Sequence, residues 1–153
     1  MQSLVLNIEK KPKQIVRSLL EKFKPEKVDP ITEARRYVDN AHEVLRERGK
    51  FDPETKCYQD KKYVRAAGNY LWHAVIIAFD AVFQVSASSK RVDINDFRQA
   101  VTNRDKKLLT ALNSAYEVIH LYMSYDGNLR KGISDEGFEL ANDIIDRCAK
   151  LYK

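Results

Sequence analysis

His73 and Asp80 stand seven residues apart in the stretch YQDKKYVRAAGNYLWHAVIIAFDAVF, residues 58–83. On a helix that spacing puts both on one face, two turns and about 10.5 Å apart along the axis. A direct hydrogen bond between their side chains is out of reach at that separation. A bound ligand could bridge them. The competing reading is a polar strip at a helix–helix seam, each group satisfied by a neighbouring helix. Asn69 lies on the same strip. His120 sits one turn after Tyr116 and one turn before Ser124. A tyrosine–histidine pair can move protons, although packing with one hydrogen bond is its commoner use. A small-ligand pocket lined by Asn69, His73, Asp80 and His120 is therefore one expectation.

Basic groups interleaved with aromatics give a second. Lys61, Lys62 and Arg65 cluster close to Tyr58 and Tyr63, and Arg104, Lys106 and Lys107 form another cluster. Such groups can hold a single nucleic-acid strand, or they can be solvated helix ends. Other chemistry lacks its residues. The chain has no glycine-rich phosphate loop, no HExxH and no CxxC. Glu117 and His120 form the chain's single Glu-x-x-His pair, whereas the di-iron pattern of helical bundles needs two. Neither a metal nor a cofactor is expected. Cys57 and Cys148 fit no metal spacing or disulfide framework and read as reduced thiols.

The elements that must position these groups are helical. A length of 153 residues, 44% hydrophobic and 32% charged, suits one domain with a sizeable core. The only strand-like alternation is Leu4, Leu6 and Ile8. A first helix is predicted from Pro12 to Lys24, carrying Ile15, Val16, Leu19, Leu20 and Phe23 at helical spacing and ended by Pro25. Asp29 and Pro30 start a second helix that Gly49 stops, with a loop from Lys50 to Lys56. The third is the 58–83 stretch. Its Trp72–Ile76–Phe79–Phe83 ridge lies opposite an alanine-rich face. A helix apolar on both sides is buried centrally or lends one side to a partner chain, and the ridge argues for a homodimer. Asp93 with Asp96 caps a fourth stripe that reaches Asp126 and has a weak point near Thr102–Asn103. DGN (126–128) turns the chain, and a last helix is predicted from Ser134, with Ile133 and Phe138 spaced as a hydrophobic staple.

The fold class expected is all-α, an antiparallel up-and-down four-helix bundle with an additional N-terminal helix. Residues 1–29 form a basic arm and residues 30–153 the bundle. The net charge of +5 is uneven, because residues 1–30 hold seven Lys/Arg against four Asp/Glu. No uninterrupted apolar run reaches the roughly 18 residues of a membrane span. The start has no signal-peptide layout, so a cytoplasmic protein with no membrane partner is expected.

ITEARRYVDNAHEVLRERG, YVRAAGNYLWHAVIIAFDAVF and ISDEGFELANDIIDRCAKLY together resemble HEPN-type helical bundles over about four fifths of the chain. The segment YQDKKYVRAA also resembles an uncharacterised bacterial family of about this length, a domain of unknown function. Catalytic HEPN bundles are metal-independent ribonucleases that carry R-x4-6-H near the start of a late helix, usually across a dimer. The resemblance places that motif between Leu129 and Phe138, where this chain has Arg130 and no histidine. Arg35 and Arg36 make R-x6-H and R-x5-H with His42, on the first bundle helix instead. If the activity exists, the resemblance implies His42 as acid–base group and Arg35 or Arg36 as phosphate clamp. The leading expectation is a non-catalytic binding module for RNA or a protein partner. A divergent ribonuclease and a small-ligand bundle are the alternatives.

Overall fold

The computed structural model describes residues 12–22, 27–87 and 91–153. Helix α1 spans Pro12–Lys22, α2 Pro30–Arg48, α3 Lys61–Phe83, α4 Ile94–Val101 and α5 Lys106–Ala115. The last continues into a π-helical stretch, Tyr116–Tyr125, and α6 spans Lys131–Leu151. The fold is an all-α bundle, as the periodicities predict. The alternation at Leu4, Leu6 and Ile8 lies outside the described residues, as do Phe23 and Lys24 at the expected end of the first helix.

Several boundaries obey the local chemistry. Asp29 accepts a hydrogen bond from the Thr32 amide at 3.0 Å, with Pro30 in the first turn of α2. Asp93 and Asp96 form a reciprocal capping box on α4. The fourth stripe breaks at its weak point: Asn103 takes a left-handed conformation at φ 73°, and Asp105 caps a new helix.

Other boundaries are set by tertiary hydrogen bonds, and there the sequence reading is corrected. Gly49 is not the left-handed stop; it stays helical at φ −70°, and Lys50 turns the chain at φ 53°. The Gln59 amide holds that turn by donating to the carbonyls of Gly49 and Lys50. The loop expected from Lys50 to Lys56 is part of a hairpin. Phe51–Asp52 (β1) pairs antiparallel with Cys57–Tyr58 (β2), so α3 begins only at Lys61, after the Asp60 cap. This hairpin is stitched to the end of the chain. The Tyr58 amide donates to the Leu129 carbonyl at 2.7 Å, and the Lys131 amide to the Lys56 carbonyl at 3.1 Å. That anchor starts α6 at Lys131 instead of Ser134. Ser134 does not cap; it is buried inside the helix, and Ile133 and Phe138 lie within α6 rather than forming a staple across its start.

The core lies around α3, which packs against α2, α6 and the π-helical stretch. The pairs run in opposite senses. Tyr37 meets His73 while Arg48 meets Tyr63; His42 meets Phe138 while Arg35 meets Asp146. Of the ridge on which the homodimer expectation rested, Phe79 lies in the core, and Trp72, Ile76 and Phe83 pack against it half-buried. Trp72 packs on Tyr116 and His120, and Phe79, fully buried, contacts Phe83 and Phe97. By length and mean hydropathy alone α3 could cross a bilayer. Here the bundle covers Val64, Leu71, Val75 and Phe79. In α1, by contrast, no residue is buried, and Ile15, Val16, Leu19 and Leu20 are exposed.

Closest approach occurs at Gly68. A Cβ there would lie 2.5 Å from the Ser124 amide nitrogen and 2.8 Å from its Cα. Backbone cannot swing aside as a flexible side chain can. Gly68→Ala is therefore expected to cost about 1–3 kcal/mol, the usual range for overpacking. Gly132, where a Cβ would meet nothing within 4 Å, is the control. Thermal unfolding should show a clear drop in Tm for Gly68→Ala and an unchanged or slightly higher Tm for Gly132→Ala. Equal behaviour of the two would dismiss the close-packing account.

His120 gives the fold a pH dependence. Burial lowers its pKa, and its Nδ1 is buried without a hydrogen-bond partner among the described residues. Protonation then favours the unfolded chain, whose histidine titrates near 6.5. The contribution is complete above that value and is lost as pH falls below it. Urea unfolding between about pH 7.5 and about pH 5 should show a smaller stability loss for His120→Gln than for the native chain. Identical losses would remove His120 from the account.

Candidate nucleic-acid interface

One end of the bundle gathers cations around tyrosine. Helix α2 ends there at Arg48 and α3 begins there at Lys61. The Arg48 guanidinium carbon lies 5.7 Å from the centre of the Tyr63 ring, and Lys62 Nζ lies 5.5 Å from it. Arg48 also donates to the Tyr63 hydroxyl at 3.4 Å. That hydrogen bond, with the Lys62 charge, lowers the Tyr63 pKa, and the same contact raises that of Arg48. At an exposed site such cation–π contacts bias the side chains without locking them.

Beside this pair, Arg65 Nε donates to the Tyr125 carbonyl at 3.1 Å. That carbonyl belongs to the last turn of the π-helical stretch, where backbone acceptors lack helical partners. Tyr125 itself is 76% exposed. Immediately after it, Gly127 adopts φ 63°, and a Cβ there would run into the Lys61 and Arg65 stems. Only glycine fits both the conformation and the space. The turn thus packs the Lys61 and Arg65 stems against the backbone that follows the exposed Tyr125. Glu47, Asp60 and Asp126 lie on the same segments. Asp60 is committed to capping α3 through the Lys62 amide.

The second basic cluster is elsewhere. Arg104 lies 5.3 Å over the Phe83 ring, at the opposite end of α3, and Lys106 and Lys107 begin α5. A 23-residue helix is about 33 Å long, so the two clusters do not form one compact surface.

The remaining sequence candidates are dispersed. Asn69 hydrogen-bonds Ser124. His73 is exposed and stacks on Tyr37, 5.8 Å between ring centres. Asp80 accepts from the Ser86 amide and hydroxyl, closing the end of α3. His120 packs on Trp72 and Tyr116. These are four separate sets of neighbours rather than one converging group. Arg35 pairs with Asp146 at 3.0 Å and Arg36 with Glu33 at 3.1 Å. His42 stacks on Phe138, with 3.8 Å between ring centres. Its neighbouring arginine is Arg46, one turn along α2, which the R-x4-6-H spacing could not find. Arg48 and Tyr125 were also missed. They join Lys61–Arg65 from two other elements, and no local pattern signals that meeting. Among the described residues, no three His, Cys, Asp or Glu side chains are grouped as metal ligands.

Comparison with known proteins bears on the family. A solved protein of unknown function from Dyadobacter fermentans is 34% identical and superposes with a TM-score of 0.71, covering 79% of this chain and 93% of its own. No curated protein matches. Residues 29–150 match the family described as Domain of unknown function (DUF5618), a span that leaves the basic arm outside. The chain belongs to that family.

Proposed function

We propose that the protein is a non-catalytic binding module that holds single-stranded RNA at the end formed by Arg48, Lys61, Lys62, Tyr63, Arg65 and Tyr125. The carrying observation is that the exposed Tyr125 is tied through its backbone carbonyl to Arg65, next to the Gly127 turn packed on the Lys61 and Arg65 stems. A base stacks on an aromatic ring whatever its sequence, and the lysines neutralise flanking phosphates. Arg65 is held through Nε, so its two terminal nitrogens have no protein partner among the described residues and are available to phosphate. The resemblance of residues 30–153 to HEPN-type bundles supports RNA as the ligand. The non-catalytic reading is supported by the arginines of the expected ribonuclease motif. Both are held by carboxylates, and neither pairs with His42.

Fluorescence anisotropy of a labelled single-stranded RNA, from about 50 to about 300 mM salt, tests this. Binding should weaken steeply with salt, and Lys61→Gln with Lys62→Gln should flatten the slope by up to about two. Tyr125→Ala should cost about 1–3 kcal/mol of affinity at fixed salt. Absence of binding at the lowest salt would sink the proposal. Cleavage that disappears in His42→Ala would replace it with the ribonuclease.

A further inference from the structure

A second site lies between α2, the β1–β2 hairpin and the start of α6. It is a cavity of about 460 Å³, within the range of small-molecule pockets. Four aromatic rings line it: His42, Phe51, Tyr58 and Phe138. Phe138 carries the stacked His42 ring, and Phe51 and Tyr58 lean together with 5.7 Å between ring centres. The walls are fixed by backbone. The hairpin bonds to Leu129 and Lys131 tie Phe51 and Tyr58 to the first turn of α6. Lys50 and Lys56, one at each end of the hairpin, take left-handed conformations at φ 53° and 57°. Non-glycine residues adopt such conformations at a cost, so the hairpin is shaped against local preference.

Charge selects the occupant. Lys131 is neutralised by Asp135, its Nζ lying 2.8 Å from a carboxylate oxygen. Arg46 lines the cavity and has no ion-pair partner among the described residues. Tyr58 stays protonated, since burial raises its pKa. Of the lysine, arginine and carboxylate groups in the lining, Arg46 is the one left uncompensated, beside flat apolar walls.

We propose that this cavity binds a small planar aromatic anion, its ring between the Phe51, Tyr58 and Phe138 side chains and its charged group on Arg46. The planar part needs aromatic walls, and the anion needs a guanidinium without a counter-ion. A mononucleotide and an aromatic carboxylate share that chemistry. The site uses none of the residues assigned to RNA, so either proposal can fail alone.

Calorimetric titration of the full-length protein tests it, with adenosine monophosphate and benzoate as anionic probes and adenosine and benzyl alcohol as their neutral counterparts. At least one anion is expected to bind at millimolar concentration or below, about tenfold more tightly than its neutral counterpart. Binding of adenosine monophosphate alone assigns a phosphate ligand, and of benzoate alone a carboxylate. Arg46→Gln, an exposed position that leaves the core intact, should bring the anion down to its neutral counterpart. Phe51→Ala should weaken both, and Arg65→Gln at the RNA end should change neither. Absence of binding by both anions overturns the proposal, as does binding indifferent to Arg46→Gln or equal for charged and neutral probes.

Discussion

Helix α3 carries apolar residues on more sides than a surface helix can, so α2, α6 and the π-helical stretch must cover it. The hydrophobic effect sets that requirement, at roughly 25 cal/mol per Å² of apolar surface removed from water. Small residues decide how it is met. Ala67, Gly68, Ala74 and Ala78 are all buried, and at Gly68 the backbone of the opposing stretch comes into contact. Larger side chains at these positions would hold the elements apart and leave Leu71 and Val75 with fewer partners.

The covering elements then meet at their ends, and the candidate sites lie there. Where α3 begins, the close approach at Gly68 delivers the end of the π-helical stretch, so Tyr125 and the Gly127 turn arrive beside Lys61 and Arg65. Where α6 begins, the hairpin reaches across and is bonded to Leu129 and Lys131. The cavity lies against that junction. Polar groups along the middle of α3 have a different fate. Asn69 is taken up by Ser124 and Asp80 by Ser86, because polar groups at a seam need partners more than they need a common ligand, while His73 stays exposed against Tyr37.

The same division explains which parts of the sequence were readable. The Asp93–Asp96 box, the Asp29–Pro30 start and the break before Asp105 all depend on residues within four positions of each other. Ser134 has the chemistry of a cap, yet it is buried because hydrogen bonds between the hairpin and Lys131 begin the helix a turn earlier. Gly49 has the chemistry of a left-handed stop, yet the bonds from Gln59 place the turn at Lys50. Both errors have one cause: a backbone hydrogen bond from a distant residue outweighs a local preference worth about 1 kcal/mol.

By itself the sequence determined that the chain is helical, that Asp29 and Asp93 begin helices and that α3 is the helix to bury. Apolar periodicity and capping act within a few residues and are written in their order. Only the tertiary structure decided that Arg48 and Lys62 share Tyr63, that Tyr125 stands beside Arg65, and that His42 lies with Arg46 against Phe138. Those neighbours come from elements tens of residues apart. Their meeting depends on which faces the packing of α3 turns toward one another, and no local spacing encodes that.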